Sequence, residues 1–396
     1  MLRRPSSPVV LIVGAAISLL LIWQWASPPS WLHAGANTRV NIARSARHYT
    51  HDIYNSTLGF QNIFIVSLPS RTDRRDGMSL STALSDIEFE FVDGVDGSTI
   101  PDKALPQYSA DESPSHSTIG AWRGHLNAIR EVVRRNLTSA LILEDDADWD
   151  VRLRDQLQNF ALSSHALTQP LANTDRSTYA DITYPNPSDT SPSSIPDLDF
   201  DNLPATVLPR SSPYGDEWDV LWLGHCGMHF PFKDGKLIPK GRVVQTDQTV
   251  PQQQHLWTVS DFNDLKDQYP NHTRVTHHTQ EGICSLAYAI NQRSARKLLY
   301  EVGLKRVNTA FDIMLRWFCE GAGNPNRGYH NCLTTQPSLF QIHLPAGPKK
   351  SNSDIADHGQ GDQEKKTEII RWSVRMNTEA LLDGRTDFVD QYPDVV

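Results

Sequence analysis

A chain of 396 residues with a formal net charge of −9 and a sequence pI near 5.9 has room for one large domain or two small ones. No dense Lys/Arg stripe interleaved with aromatics occurs in it, which argues against nucleic acid as a partner. Its hydrophobic content of 39% is that of a globular protein, and ten tryptophans point to a substantial core or to sugar-stacking surfaces.

The N-terminus reads Met1-Leu2-Arg3-Arg4, followed by an apolar run from Val9 to Ala26 in which Gln24 is the strongly polar member. That length is at the lower margin for a membrane-spanning helix, and the two arginines hold the short end in the cytosol. The expectation is a cytosolic tail at 1–8, a signal anchor at 9–26 and a stem at 27–58. The rest then lies in the lumen of the Golgi or ER, as in a single-pass type II protein. A cleaved signal peptide is the rival, since Ala34-Gly35-Ala36 resembles a cleavage site. Pro28 and Pro29 separate that site from the apolar run, which favours the anchor. Sequons at Asn55, Asn136 and Asn271 agree with a luminal body. Four cysteines, Cys226, Cys284, Cys319 and Cys332, are an even number that allows two bridges in an oxidising compartment. A zinc site drawing on His225, Cys226, His229, His330 and Cys332 fits no regular spacing.

A globular domain is expected over 59–346. It opens at Ile63-Phe64-Ile65-Val66-Ser67-Leu68, a central-strand pattern leading into the basic loop Pro69 to Arg75, whose arginines suit phosphates. Ile87-Glu88-Phe89-Glu90-Phe91 alternates as a strand should. Trp122, Leu126, Ile129 and Val133 lie on one helical face, with His125 inside that helix as a packed or hydrogen-bonded residue rather than a catalytic one. Residues 161–216 are dominated by Pro, Ser, Thr and Asp and read as an extended or disordered insertion. Order returns at Trp218 to Gly224, a buried strand, and 229–280 reads as an irregular polar region. A strand at Ser285 to Ile290 and a helix through Ala295, Leu298 and Val302 come next. They are followed by a helix from Phe311 to Glu320 and a last strand from Pro337 to His343. Residues 347–396 form a C-terminal extension, polar from Gly347 to Lys366.

The most informative stretch is Leu141-Ile142-Leu143-Glu144-Asp145-Asp146-Ala147-Asp148-Trp149, a buried strand ending in four carboxylates. Unpaired buried carboxylates are costly, so this end needs a cation or solvent. With an extended backbone, Glu144, Asp146 and Asp148 share one face and Asp145 points away. Oxygen donors at that density suit Mg²⁺ or Mn²⁺, which in turn suit a diphosphate. Ligands of open α/β sheets gather at this end of the strands. The alternative is an acidic turn capping the next helix.

Taken in order, these segments resemble glycosyltransferase family 25, which includes bacterial lipooligosaccharide galactosyltransferases and collagen galactosyltransferases. The matching pieces are Ile65 to Leu68 with Arg71, Asp73 and Arg74; Gly120 with His125; and Leu141 through Asp146. Trp218 to Gly224, Ala287 to Ile290 with Ala295, and Asp312 complete the set. Where the family usually reads Leu-Ser-His, this chain reads Trp122-Arg123-Gly124-His125. The resemblance implies an α/β fold of GT-A type, a Rossmann-like mixed sheet flanked by helices. It implies a UDP-sugar donor, a Mn²⁺ or Mg²⁺ ion, and transfer with inversion of a hexose, galactose first, to a glycan or glycoprotein acceptor. On that reading Arg71, Asp73, Arg74, Glu144 and Asp145 meet the UDP-sugar, and Asp146, Asp148 and His343 hold the metal. Asp312 is the base, with Asp354 and Glu320 behind it. Two other classes compete: an inactive luminal carbohydrate-binding protein, and a metal-dependent phosphodiesterase or nucleotide hydrolase.

Overall fold

The computed structural model describes residues 50–106, 114–174, 178–187, 197–259, 262–321, 328–348, 354, 361–362 and 364–395. The expected tail, the anchor at 9–26 and most of the stem lie outside them. Among the described residues no helix is long and apolar enough to cross a membrane.

The strands are β1 (Asn62–Ser67), β2 (Glu90–Asp93), β3 (Ser139–Glu144), β4 (Ala147–Trp149), β5 (Asp197–Asp199), β6 (Val220–Gly224), β7 (Gly227–His229) and β8 (Arg242–Thr246). They continue with β9 (Thr273–His278), β10 (Gln280–Ile283), β11 (Ala287–Asn291), β12 (Cys332–Gln336), β13 (Phe340–Leu344), β14 (Gly347–Pro348), β15 (Gly361–Asp362) and β16 (Lys366–Thr367). The helices are α1 (Thr72–Leu84), α2 (His116–Arg134), α3 (Leu153–Thr168), α4 (Asp264–Gln268), α5 (Gln292–Tyr300), α6 (Phe311–Glu320) and α7 (Thr378–Leu382). Among the described residues the main sheet has twelve strands, ordered β2-β1-β3-β11-β6-β12-β9-β8-β5, with β13 pairing β6, and β4 and β16 pairing β13. β1 runs parallel to β2 and β3, and β11 is antiparallel to both β3 and β6. The expectation of a mixed sheet between helices holds.

Period-two alternation builds the two layers. Ile63, Ile65, Leu141, Leu143, Leu221 and Leu223 face α1 and α3, packing on Met78, Leu157 and Phe160. Phe64, Ile142, Trp222, Tyr288 and Ile290 face the other way, onto Trp122, Leu126 and Ile129 of α2 and onto α5 and α6. Ser115 caps α2 by accepting the Thr118 N–H at 3.2 Å. Gly120 lets that helix lie against the loop after β2, because a Cβ there would sit 2.4 Å from the Val95 carbonyl. The four cysteines pair as Cys226–Cys284 and Cys319–Cys332, which leaves no zinc thiolates among them.

Several expectations need correction. The second strand is Glu90–Asp93, later than Ile87–Phe91. Region 229–280 contributes β8 and β9 to the sheet, and β9 escaped notice because its sequence, Thr-Arg-Val-Thr-His-His, is polar yet wholly buried. The insertion expected at 161–216 is largely packed: α3 runs to Thr168, Leu171 bridges Thr206, and β5 pairs with β8. Tyr214 stacks on Phe60 at 4.7 Å and donates to the Leu58 carbonyl at 2.7 Å. Asp181 accepts the Gly241 N–H at 3.0 Å. Single aromatic anchors and Asx hydrogen bonds order this stretch, and neither leaves a periodic signal. Deleting residues 170–210 is therefore expected to lower the thermal midpoint by at least about 5 °C, since each kcal/mol lost moves it a few degrees. A melt matching the parent would contradict this packing.

The C-terminal extension is also part of the body. Val151 N–H donates to Trp372 O at 3.0 Å, Val374 N–H donates to Trp149 O at 2.9 Å, and Ile369, Ile370 and Val374 are buried. Most of the polar stretch expected from Gly347 to Lys366 lies outside the described residues.

Candidate functional site

β1, β3 and β6 point the same way, so Ser67, Glu144 and Gly224 end at one edge of the sheet, where β11 begins. The backbone does not stay extended past Glu144. Asp145 and Asp146 form a turn, and the chain re-enters the sheet as β4 against β13. That turn sends the carboxylates to different surroundings, with Asp145 and Asp146 sharing Arg74.

Asp145 is buried, accepting the Ser67 hydroxyl at 2.7 Å and Arg74 Nη1 at 2.6 Å. Asp146 shares the same Arg74 nitrogen at 3.1 Å through Oδ2, while its Oδ1 is buried without a hydrogen-bond partner. Burial, added to repulsion from Glu144 and Asp145, pushes the Asp146 carboxyl up to about 6 against the pull of Arg74 and Arg375. Burial opposes the charge of Arg74 too, but Asp146 and Asp145 outweigh it and raise its pKa.

Glu144 accepts the Ser285 hydroxyl at 2.7 Å and lies 3.4 Å from His125 Nε2. Burial drives its pKa up, yet the hydrogen bonds and charges of His125, Ser285 and Arg74 prevail and hold it below the usual value. His125 is stacked on Phe311 at 4.2 Å, and its Nδ1 is 3.2 Å from the Tyr288 hydroxyl. The histidine expected to be packed or hydrogen-bonded is both, and its partners include the acidic cluster.

Asp148 does not face the cluster. It is fully buried; Oδ2 accepts Thr367 Oγ1 at 2.6 Å and the Ser373 hydroxyl, and Oδ1 accepts the N–H groups of Trp149 and Arg375. Its expected place as a metal ligand is corrected, because the turn at 145–146 rotates it away and its lone pairs are taken. What it does is orient His343. The Thr367 hydroxyl proton goes to Asp148, so His343 Nδ1, 2.9 Å from that oxygen, must be the donor in their hydrogen bond. The imidazole lone pair is then on Nε2. Burial, with Arg375 nearby, depresses the His343 pKa to about 4 and keeps the ring neutral. Its backbone N–H donates to the Asp146 carbonyl at 2.8 Å, which sets it beside the acidic turn.

Arg71 is drawn elsewhere, forming a fork on Asp73 at 3.0 and 2.8 Å and a further bond to Asp354. Asp354 is therefore engaged with the basic loop, and Glu320 accepts the Glu281 N–H and pairs with Arg316 at 3.6 Å. Asp312 is not the cap of α6, which is Ala310. It accepts N–H groups from Cys284 and Ile313, both at 2.8 Å. Burial raises its pKa, those N–H groups offset part of the rise, and Glu144 adds to it. A carboxylate so shifted is a stronger base than an exposed one. Arg375, unnoticed in the sequence, places its guanidinium on the Asp145 and Ala147 carbonyls at 3.0 and 3.3 Å.

Among the described residues no three His, Cys, Asp or Glu side chains form a metal cage. The unpartnered Asp146 oxygen is one donor, and a neutral His343, tied by its backbone N–H to the same turn, is another. That sparse set fits Mg²⁺ or Mn²⁺, which commonly takes one or two protein ligands and completes its shell with substrate phosphates and water.

Residues 60–196 match the model of Glycosyltransferase family 25 (LPS biosynthesis protein). Procollagen galactosyltransferase 2 of Mus musculus is 28% identical over 115 residues, covering 26% of this chain and 18% of that protein. Procollagen galactosyltransferase 1 of Danio rerio is 31% identical over 116 residues, covering 26% and 19%. Inactive glycosyltransferase 25 family member 3 of Homo sapiens is 30% identical over 114 residues, covering 26% and 19%. In each case the match spans less than a fifth of the relative's length.

Proposed function

From the match of residues 60–196 to the model of glycosyltransferase family 25, we propose that the chain is a GT-A-type hexosyltransferase of that family. It moves a sugar, galactose first, from a UDP-sugar to a hydroxyl of a glycan or glycoprotein, with inversion. The observation that supports this most is the buried, unpartnered Oδ1 of Asp146 in a turn at a strand's carboxyl end, with Arg74 and His343 alongside. A Mn²⁺ or Mg²⁺ ion held there by Asp146 and His343 would supply Lewis-acid stabilisation to the departing diphosphate.

The chain's own groups do the rest. Arg74 keeps Asp145 and Asp146 together against their mutual repulsion. Ser285 and His125 hold Glu144 ionised. Asp312 takes the acceptor hydroxyl proton as that oxygen bonds to the anomeric carbon, and the electron pair of the breaking C–O bond leaves on UDP. Asp312→Asn should then cut turnover by about 10²–10⁴-fold, the range for a general base, with UDP affinity retained. Loss of UDP binding in step with turnover would instead assign Asp312 a structural role.

For location we propose the Golgi or ER lumen behind an N-terminal anchor. Two disulfides and three exposed sequon asparagines, Asn55, Asn136 and Asn271, support the luminal part. The test of function is a donor screen on the purified luminal body, reading released UDP with and without Mn²⁺. Release with one UDP-hexose upholds the reading; silence with every donor would align the chain with the inactive relatives.

A further inference from the structure

The short connector between β10 and β11, Cys284 to Leu286, serves two carboxylates of the site. The Cys284 N–H donates to Asp312 Oδ2 at 2.8 Å, and the Ser285 hydroxyl donates to Glu144 Oε1 at 2.7 Å. The Leu286 carbonyl accepts the Glu144 N–H at 2.9 Å. Asp312 comes from α6 and Glu144 from the end of β3, so one short piece of backbone touches both.

The connector changes sheets, since β10 pairs with β7 whereas β11 pairs with β3 and β6. Cys284 takes φ 63° there, a left-handed conformation that is unfavourable for a residue with a Cβ and persists only where its surroundings enforce it. Three ties enforce it, all from β6 and the residues just past its end. Cys226 is bonded through sulfur to Cys284 and donates its N–H to the Ile283 carbonyl at 2.9 Å. Trp222 donates its indole N–H to the Cys284 carbonyl at 2.9 Å. Gly224 lets β11 come this close, because a Cβ there would sit 2.7 Å from the Ala287 nitrogen. The second disulfide has no such reach: Cys319 and Cys332 join the last turn of α6 to the start of β12, at the opposite end of that helix from Asp312.

We propose that the Cys226–Cys284 disulfide is a positioning element, pinning the connector so that the Cys284 N–H and the Ser285 hydroxyl hold Asp312 and Glu144 in fixed relation. This rests on the reading of Asp312 as the base and deepens it by naming what holds that base. Breaking the bond frees Cys284 to leave the left-handed region, which carries its N–H away from Asp312. An amide N–H stabilises the charged carboxylate, so its loss makes Asp312 harder to ionise. The other groups that face Asp312 are the Ile313 N–H, Glu144 from β3 and His125 from α2. Arg316, one turn along α6, is taken up by Glu281 at 2.6 Å.

NMR titration of the Asp312 carboxyl carbon in the purified, ¹³C-aspartate-labelled protein tests this, with the signal assigned by its loss in Asp312→Asn. The parent is compared with Cys226→Ala/Cys284→Ala and with Cys319→Ala/Cys332→Ala, each shown by its thermal melt to be folded. At the pH where Asp312 is half-ionised in the parent, the first pair should hold it at least about twofold less ionised. The second pair should leave it at the parent's value. Where UDP release is measurable, its acid limb should move to higher pH in the first pair alone. An unmoved Asp312 in the first pair, or an equal rise in both pairs, would overturn the proposal and leave the bond as a staple of the fold. If the first pair does not fold, Trp222→Phe decides. It keeps the disulfide, removes the indole N–H from the Cys284 carbonyl and should move Asp312 in the same direction; no movement would overturn the proposal. A raised midpoint in a protein that releases UDP from no donor upholds the positioning element and rejects the transfer reading. An unmoved midpoint in a protein that does release UDP rejects the positioning element alone.

Discussion

Replacing Asp146 with asparagine is expected to abolish metal-dependent UDP release, by at least about 100-fold, while leaving the fold as stable or more so. The carboxyl is pushed from 3.8 to about 6 in the folded chain, chiefly by burial. Between those two values the folded state holds the proton that the unfolded state has lost, so stability falls as pH rises through this window. Above about pH 6 the whole penalty is present, roughly 3 kcal/mol at 1.36 kcal/mol per unit. An uncharged amide at this position removes it. The variant's advantage in chemical denaturation should reach about 1–3 kcal/mol at pH 7–8 and vanish near pH 4. A variant less stable at pH 8 with activity per folded molecule preserved would show that the carboxylate serves the fold.

Asp148→Ala is expected to have the opposite profile, with a stability loss of about 3–5 kcal/mol, because charged buried hydrogen bonds are removed and their donors orphaned. Thr367, Ser373 and the Arg375 N–H all close on this one carboxylate. Freed of it, the segment 366–395 should become an early site of proteolysis. His343 should also lose its fixed tautomer, and metal affinity should drop by about 10–100-fold, as for other orienting partners of a ligand. Retained stability alongside lost metal binding would restore Asp148 as a direct ligand.

The pair shows what a linear reading of the acidic stretch reaches. Leu141 to Leu143 announce a buried strand and the carboxylates after it a cluster at its end; the strand is found, and the cluster holds Glu144 to Asp146 while Asp148 is turned away. The assignment of partners within the cluster was not legible, since it follows from the turn at Asp145–Asp146 and from groups far along the chain. Arg74 lies near enough to the first strand to be suspected from a basic loop. Ser285 and His125 come from β11's approach and from α2, and Thr367, Ser373 and Arg375 come from more than 200 residues downstream. None of these contacts leaves a local pattern. The same holds for β9 and for the stretch around Tyr214, where polar or aperiodic residues are ordered by tertiary hydrogen bonds and single aromatic anchors.

On the function proposed above, the acidic strand end binds a diphosphate through a divalent ion. Titration calorimetry of UDP into the purified protein tests it most directly, with Mn²⁺ present and then with the metal removed by chelation. UDP should bind with Mn²⁺, bind at least about tenfold more weakly without it, and show no metal-dependent increment in Asp146→Asn. UDP binding of equal strength with and without metal in the parent, or an unchanged increment in Asp146→Asn, would contradict it.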